Sequence, residues 1–159
     1  MKVAIAYYSQ HHGNTKKLLD AIKEFAIKEL RDVDVNLINV VECKEAHLSD
    51  YDIVGFASGT YYGKFSKEVI KFAKSNLPNK SRVFLINTYG LEIKDYTKEI
   101  KKIIAEKSCQ LLGTYGCKGF DTVGPLKLIG GIAKGHPDEN DVNGAIEFFR
   151  RIIENEKRE

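Results

Sequence analysis

The sequence predicts an α/β fold: a three-layer α/β/α sandwich around a five-stranded parallel sheet of order 2-1-3-4-5. Two patterns carry this expectation. Short, continuous apolar runs bounded by turn formers read as strands buried on both faces, and the segments between them switch to helical periodicity. Strands alternating with helices imply crossover connections and a parallel sheet with helices on both faces. With 159 residues, 43% of them hydrophobic, the chain suffices for one good core and is short for two, so one domain over 1–159 is expected.

The run Val3-Ala4-Ile5-Ala6-Tyr7 is the first strand. Leu18, Leu19, Ile22, Phe25, Ala26 and Leu30 then fall on one helical stripe, with lysines and acids elsewhere on the same segment. Val33 to Asn39 largely alternates, which suits a strand at the sheet edge. Ile53 to Ala57 and Val83 to Ile86 repeat the continuous apolar pattern. Val69, Ile70 and Ala73 mark a helix after Ser66, and Tyr96, Ile100, Ile103 and Ile104 mark another after the cap candidate Asp95. Cys109 to Cys117 supplies a Gly-interrupted fifth strand, and Val142, Ala145, Ile146, Phe149, Ile152 and Ile153 stripe a last helix. Gly144 lowers the helix propensity there by about 1 kcal/mol relative to Ala, which the six-residue stripe outweighs. The stretch Gly119 to Asp141 is glycine-rich without clear periodicity and reads as a long surface loop.

Composition narrows the function classes. Twenty-five basic and 22 acidic residues are dispersed along the chain, so the net charge of +3 does not point to nucleic acid. Three cysteines, Cys43, Cys109 and Cys117, form no CxxC pair and no even disulfide set, and no His or Cys stands near them at zinc spacing. A reducing, cytoplasmic setting and no metal are expected. The apolar run at Val3 to Tyr8 is too short for a signal sequence and no stretch has the length of a membrane span.

In an open parallel sheet, ligands bind beyond the carboxyl ends of the strands where the strand order reverses. Three segments occupy that edge. Ser9-Gln10-His11-His12-Gly13-Asn14-Thr15 joins the first strand to a helix N-terminus, where free backbone N–H groups and the helix dipole favour a phosphate. Gly13 permits close approach, Ser9 and Thr15 offer hydroxyls, and Gln10 and Asn14 offer amides. A plain strand-to-helix turn is the alternative reading. Ser58-Gly59-Thr60-Tyr61-Tyr62-Gly63 and Asn87-Thr88-Tyr89-Gly90 bring glycines and three tyrosines to the same edge, where the rings can stack on a flat ligand or pack on helix ends. Gly59 and Gly63 have only three residues between them and Phe65 follows Lys64, so this is no Walker A loop. Gly113, Gly116 and Gly119 lack GxGxxG spacing, so a dinucleotide fingerprint is absent.

Tyr8 to Thr15, Gly55 to Gly63 and Asn87 to Gly90 together resemble the flavodoxin family, with Gly13-Asn14-Thr15 the most specific piece and the element order similar from Met1 to about Ile153. The resemblance implies non-covalently bound flavin mononucleotide (FMN), with Ser9 to Thr15 on the phosphate and Tyr61, Tyr62 and Tyr89 bracketing the ring. The family's phosphate loop usually reads T/S-x-T-G-x-T; here Gln10 stands at its first hydroxyl and His12 precedes the glycine. The expected function is intracellular one-electron transfer between redox partner proteins by a monomer or weak homodimer, with no catalytic acid or base. An NAD(P)H-dependent FMN quinone or nitro-compound reductase is the alternative, and a flavin-binding regulatory module without turnover is a second one.

Overall fold

A computed structural model describes residues 1–10, 12–92 and 95–158. Among the described residues six strands and four α-helices follow in the order β1 (Lys2–Tyr8), α1 (Asn14–Glu29), β2 (Asp34–Asn39), β3 (Ile53–Tyr61), β4 (Lys64–Phe65), α2 (Lys67–Asn76), β5 (Arg82–Tyr89), α3 (Lys98–Glu106), β6 (Gln110–Lys118) and α4 (Glu139–Glu156). The main strands pair in parallel in the order β2-β1-β3-β5-β6. The sheet therefore has six strands instead of the five expected. The extra one arises because Tyr62 and Gly63 both take positive φ, 51° and 71°, which is the geometry of a tight hairpin turn, and β4 folds back antiparallel on β3. Apart from β4, the five parallel strands keep the expected sequence of neighbours.

Alternation along each central strand sends side chains to two separate cores. Val3, Ile5 and Tyr7 of β1 and Phe84 and Ile86 of β5 pack with α1 and α4, while Ala4, Ala6, Val83 and Leu85 pack with α2 and α3. Gly55 is required at the centre of β3: a Cβ there would lie 2.4 Å from Cζ of Phe84, whose ring fills the space. β2 is the half-buried edge its alternation predicts.

Helix boundaries follow their caps. Ser66 Oγ accepts from Val69 N at the start of α2. α3 begins two residues later than expected, since the N-cap is Thr97. Asp95 instead closes a turn, its Oδ1 accepting from Thr97 N (2.9 Å) and Thr97 Oγ1 (2.6 Å). α4 opens with a reciprocal capping box between Asp138 and Asp141. Gly144 has a packing reason: a Cβ would lie 2.6 Å from the Tyr115 hydroxyl, which donates to Asp141 O.

The Gly119 to Asp141 stretch is ordered as a strap. It holds a 3-10 turn at Gly124–Ile129, a bridge between Asp121 and Ile132, and a bond from Phe120 N to His136 O. Among the described residues no helix is long and apolar enough to cross a membrane.

Candidate functional site

At the carboxyl end of the sheet, beside the reversal of order between β1 and β3, four loops enclose a small cleft of about 30 Å³. Three of them are the segments expected from sequence, contributing Ser9, Asn14 and Thr15; Gly59, Thr60 and Tyr61; and Thr88, Tyr89 and Gly90. The fourth is the start of the strap, with Gly119, Phe120 and Asp121. The sequence offers Phe120, with Lys134 and His136, as a flap over a flavin or a docking surface beside the plainer reading of a surface loop, whereas nothing in it marks Asp121.

The N-terminus of α1 faces this cleft with no side-chain cap from its N-cap residue. Gly13, at φ 66°, is its N-cap and brings no side chain, and the first turn contains no acid. Ser9 Oγ accepts from Lys16 N, so the next amide in the turn is satisfied from the strand side. Thr15 is buried and its hydroxyl lies 2.9 Å from that of Thr88, which joins the first and third segments. Asn14 lines the cleft but its amide donates to Phe120 O (2.8 Å), and the two lysines of the turn are spent on Asp20 and on Pro137 O. Neutral donors and the helix dipole are thus what the cleft offers an anion.

Other expected residues sit around the cleft in different roles. Gln10 is exposed and its backbone N–H donates to the Tyr61 hydroxyl (3.1 Å), while His12 stacks on Phe120 at 4.5 Å and its Nε2 lies 3.0 Å from Thr122 Oγ1. His11 lies outside the described residues. Ser58 is fully buried, donating to Gly59 O and accepting from Ser66 N, so it braces β3 against α2. Asn87 is also buried and lines a second, wider recess that shares Tyr89 with the first and includes Glu92, Asp95 and Tyr96.

The three tyrosines separate. Tyr61 turns inward, packing edge-on against Tyr8 at 5.2 Å and over Gly59, whereas Tyr62 at the hairpin tip beside Gly63 is 94% exposed. Tyr89 stands between the two recesses, with its hydroxyl pushed up to about 12 by burial and then by the Glu92 carboxylate. Cys117 at the end of β6 is buried and its thiol is pushed up to about 12, by burial first and then by Asp141. It is a packed apolar residue, without thiolate chemistry at neutral pH.

Two groups in the cleft stand out chemically. Thr60 Oγ1 is fully buried and has no hydrogen-bond partner among the described residues. Asp121 is the sole carboxylate among the described lining residues; its Oδ1 accepts from Val123 N, and its Oδ2 lies against Gly90, 2.9 Å from where a Cβ would be. The donor set, the uncapped helix end and the unpaired Thr60 hydroxyl fit the phosphate and polar chain of a flavin nucleotide.

Comparisons with known proteins agree with this geometry. Residues 4–117 match the sequence model of the flavodoxin domain family. An uncharacterised protein of Methanocaldococcus jannaschii is 32% identical over 157 residues, covering 98% of this chain and 100% of its own. Among solved structures, a flavodoxin from the domain Archaea superposes with TM-score 0.66 at 20% identity, covering 96% of this chain and 99% of that one. Oxidised flavodoxin 1 of Bacillus cereus gives 0.72 at 12% identity, with coverage of 97% and 98%. The fold also occurs inside a larger protein, rubredoxin oxygen:oxidoreductase of Desulfovibrio gigas, of which it spans 36% while covering 95% of this chain (TM-score 0.62, 19% identity). The family match over most of the chain, on a sheet and cleft of this form, makes the chain a member of the flavodoxin domain family, whose function is flavin-linked electron transfer.

Proposed function

We infer that the chain, as one domain over 1–159, binds FMN without covalent attachment at the four-loop cleft and carries electrons between redox partner proteins. The observation that carries this reading is the coincidence, in one cleft, of an uncapped helix N-terminus and a buried, partnerless hydroxyl at Thr60. Such a hydroxyl costs about 1–3 kcal/mol when left unsatisfied, which a polar ligand would relieve.

When bound, the flavin supplies one-electron chemistry of its own. The residues of the chain bind and orient it. The α1 N-terminus with Ser9 and Thr15 would take the phosphate, and Thr60 would meet the polar chain. Gly59, Tyr61, Tyr89 and Gly90 line the side where a ring would rest. Among the described residues no lysine or arginine lines the cleft, so neutral donors take the place of a counter-charge there.

Titration with FMN and riboflavin tests the reading. FMN is expected to bind much more tightly than riboflavin, because charge-assisted bonds to the phosphate are the strong ones in this donor set. Equal affinities, or a chain that takes up no flavin, would refute it. Anaerobic mixing with NADH or NADPH separates carrier from reductase. Slow reduction by nucleotide alone is expected, whereas rapid reduction with turnover on a quinone would establish the reductase instead.

A further inference from the structure

Seven large apolar side chains are exposed among the described residues, and four of them stand on the loops that line the cleft. They are Tyr62 after β3, Leu91 after β5, and Leu128 and Ile129 on the strap after β6. Leu128, on an ordered turn, is 89% exposed. Lysines accompany them: Lys64 follows the hairpin tip, Lys127 precedes Leu128, and Lys134 reaches back with its Nζ over Gly130.

These lysines differ from those on the helices. Lys16, Lys28 and Lys102 each have an acidic partner four residues away. Lys64, Lys127 and Lys134 are in no ion pair among the described residues. Two acids of the same edge, Glu92 beside the Tyr89 hydroxyl and Asp121 bonded by Val123 N, keep their charge, but neither pairs with these lysines among the described residues. Exposed apolar side chains and lysines outside any ion pair among the described residues thus share the loops that line the cleft.

We propose that this edge is the docking surface for an acidic electron-transfer protein, one that presents carboxylates around an apolar contact. The proposal rests on the flavin reading above and names the chemistry of the partner. Charge complementarity selects it, since three unpaired lysines attract a negative face and steer its approach. A second copy of the chain docked through the same face would bring its own lysines against these, which costs energy. A membrane surface is disfavoured because the four apolar side chains come from three separate loops around a cleft, and form no single amphipathic stripe.

The test titrates the 15N-labelled chain, with and without FMN, against an acidic [2Fe–2S] ferredoxin and, in parallel, basic cytochrome c. The ferredoxin is expected to shift the amides of Tyr62, Lys64, Leu91 and Lys127 to Lys134. Its affinity should fall at least about tenfold as the salt rises from 0.05 to 0.5 M, because the Debye length contracts severalfold over roughly that range. Combining Lys64→Glu, Lys127→Glu and Lys134→Glu should weaken the ferredoxin at least about tenfold, and Leu128→Ser should speed its dissociation, with FMN affinity unchanged in both variants. Preference for cytochrome c, shifts confined to another face, or indifference to the charge reversals would overturn the proposal. So would self-association through this face, or sedimentation with phosphatidylserine vesicles in the absence of ferredoxin binding. Failure of the flavin reading is seen separately, as a chain that binds no FMN while its contact with the ferredoxin remains measurable.

Discussion

Replacing Thr15 by Val removes one hydroxyl and nearly preserves volume, and the consequences can be worked from a single buried contact. Thr15 and Thr88 are 1% and 3% exposed, and their hydroxyls are 2.9 Å apart. Thr15→Val strands the Thr88 hydroxyl away from water, so stability should fall by about 1–3 kcal/mol. Thr88→Val should cost a similar amount for the mirror reason. The double variant leaves neither hydroxyl unmatched, so it should cost less than the sum, with a coupling of about 0.5–3 kcal/mol. A hydroxyl has one proton and two acceptor sites, so Thr15 can donate to a phosphate only while accepting from Thr88. Losing that charge-assisted bond, worth about 1.5–3 kcal/mol, should weaken FMN roughly 10- to 150-fold. Riboflavin affinity should stay the same. Urea denaturation gives the first set of numbers and flavin fluorescence titration the second. Equal weakening of FMN and riboflavin, or strict additivity of the two substitutions, would refute the reasoning.

Three further outcomes follow from local geometry. Gly144→Ala, which in an exposed helix interior stabilises by about 1 kcal/mol, should destabilise here because its Cβ meets the Tyr115 hydroxyl; chemical denaturation of the variant, alone and with Tyr115→Phe, measures this. Bonds from Thr97 and then Lys101 hold the Asp95 carboxyl down to about 2. A depressed carboxyl contributes stability that is complete above its unfolded value near 4 and is lost as pH falls toward 2; the melting-temperature deficit of Asp95→Ala should therefore shrink over that interval. Iodoacetamide at pH 8 should alkylate the half-exposed Cys43 well before Cys117, whose buried thiol stays protonated; mass spectrometry of the labelled sites reads the order.

Much of the architecture was legible because its causes are local and periodic. Val3 to Tyr7 is apolar at every position since β1 has helices on both faces, and Val33 to Asn39 alternates since β2 has one side at the edge. Three of the four cleft segments were legible for the same kind of reason: position at strand ends and turn-forming composition. What escaped depends on contacts distant in sequence or on individual dihedrals. The two-residue β4 exists because Tyr62, a non-glycine, joins Gly63 at positive φ, which the pair Tyr-Gly does not advertise. The inward turn of Tyr61 and outward turn of Tyr62 are fixed by alternation at the end of β3 and by the bond to Gln10 N, whereas composition treats the two rings as equivalent. Phe120 joins the cleft through partners more than 100 residues earlier, Asn14 and His12, so no short-range pattern could fix its place there.

The strap also ties the ligand loop to the other end of the chain. Asn14, His12 and Lys17 hold the β1–α1 segment to Phe120, Thr122 and Pro137, immediately before the cap of α4. That loop is therefore completed only by anchors more than 100 residues further along the chain. Until α4 docks, the loop samples shapes that lack its final set of donors, and apparent affinity scales with the fraction of molecules that have the finished one. Damage to α4, far from any contact with ligand, would be felt at the cleft as weakened binding, and a bound ligand would in turn hold the carboxy-terminal helix in place.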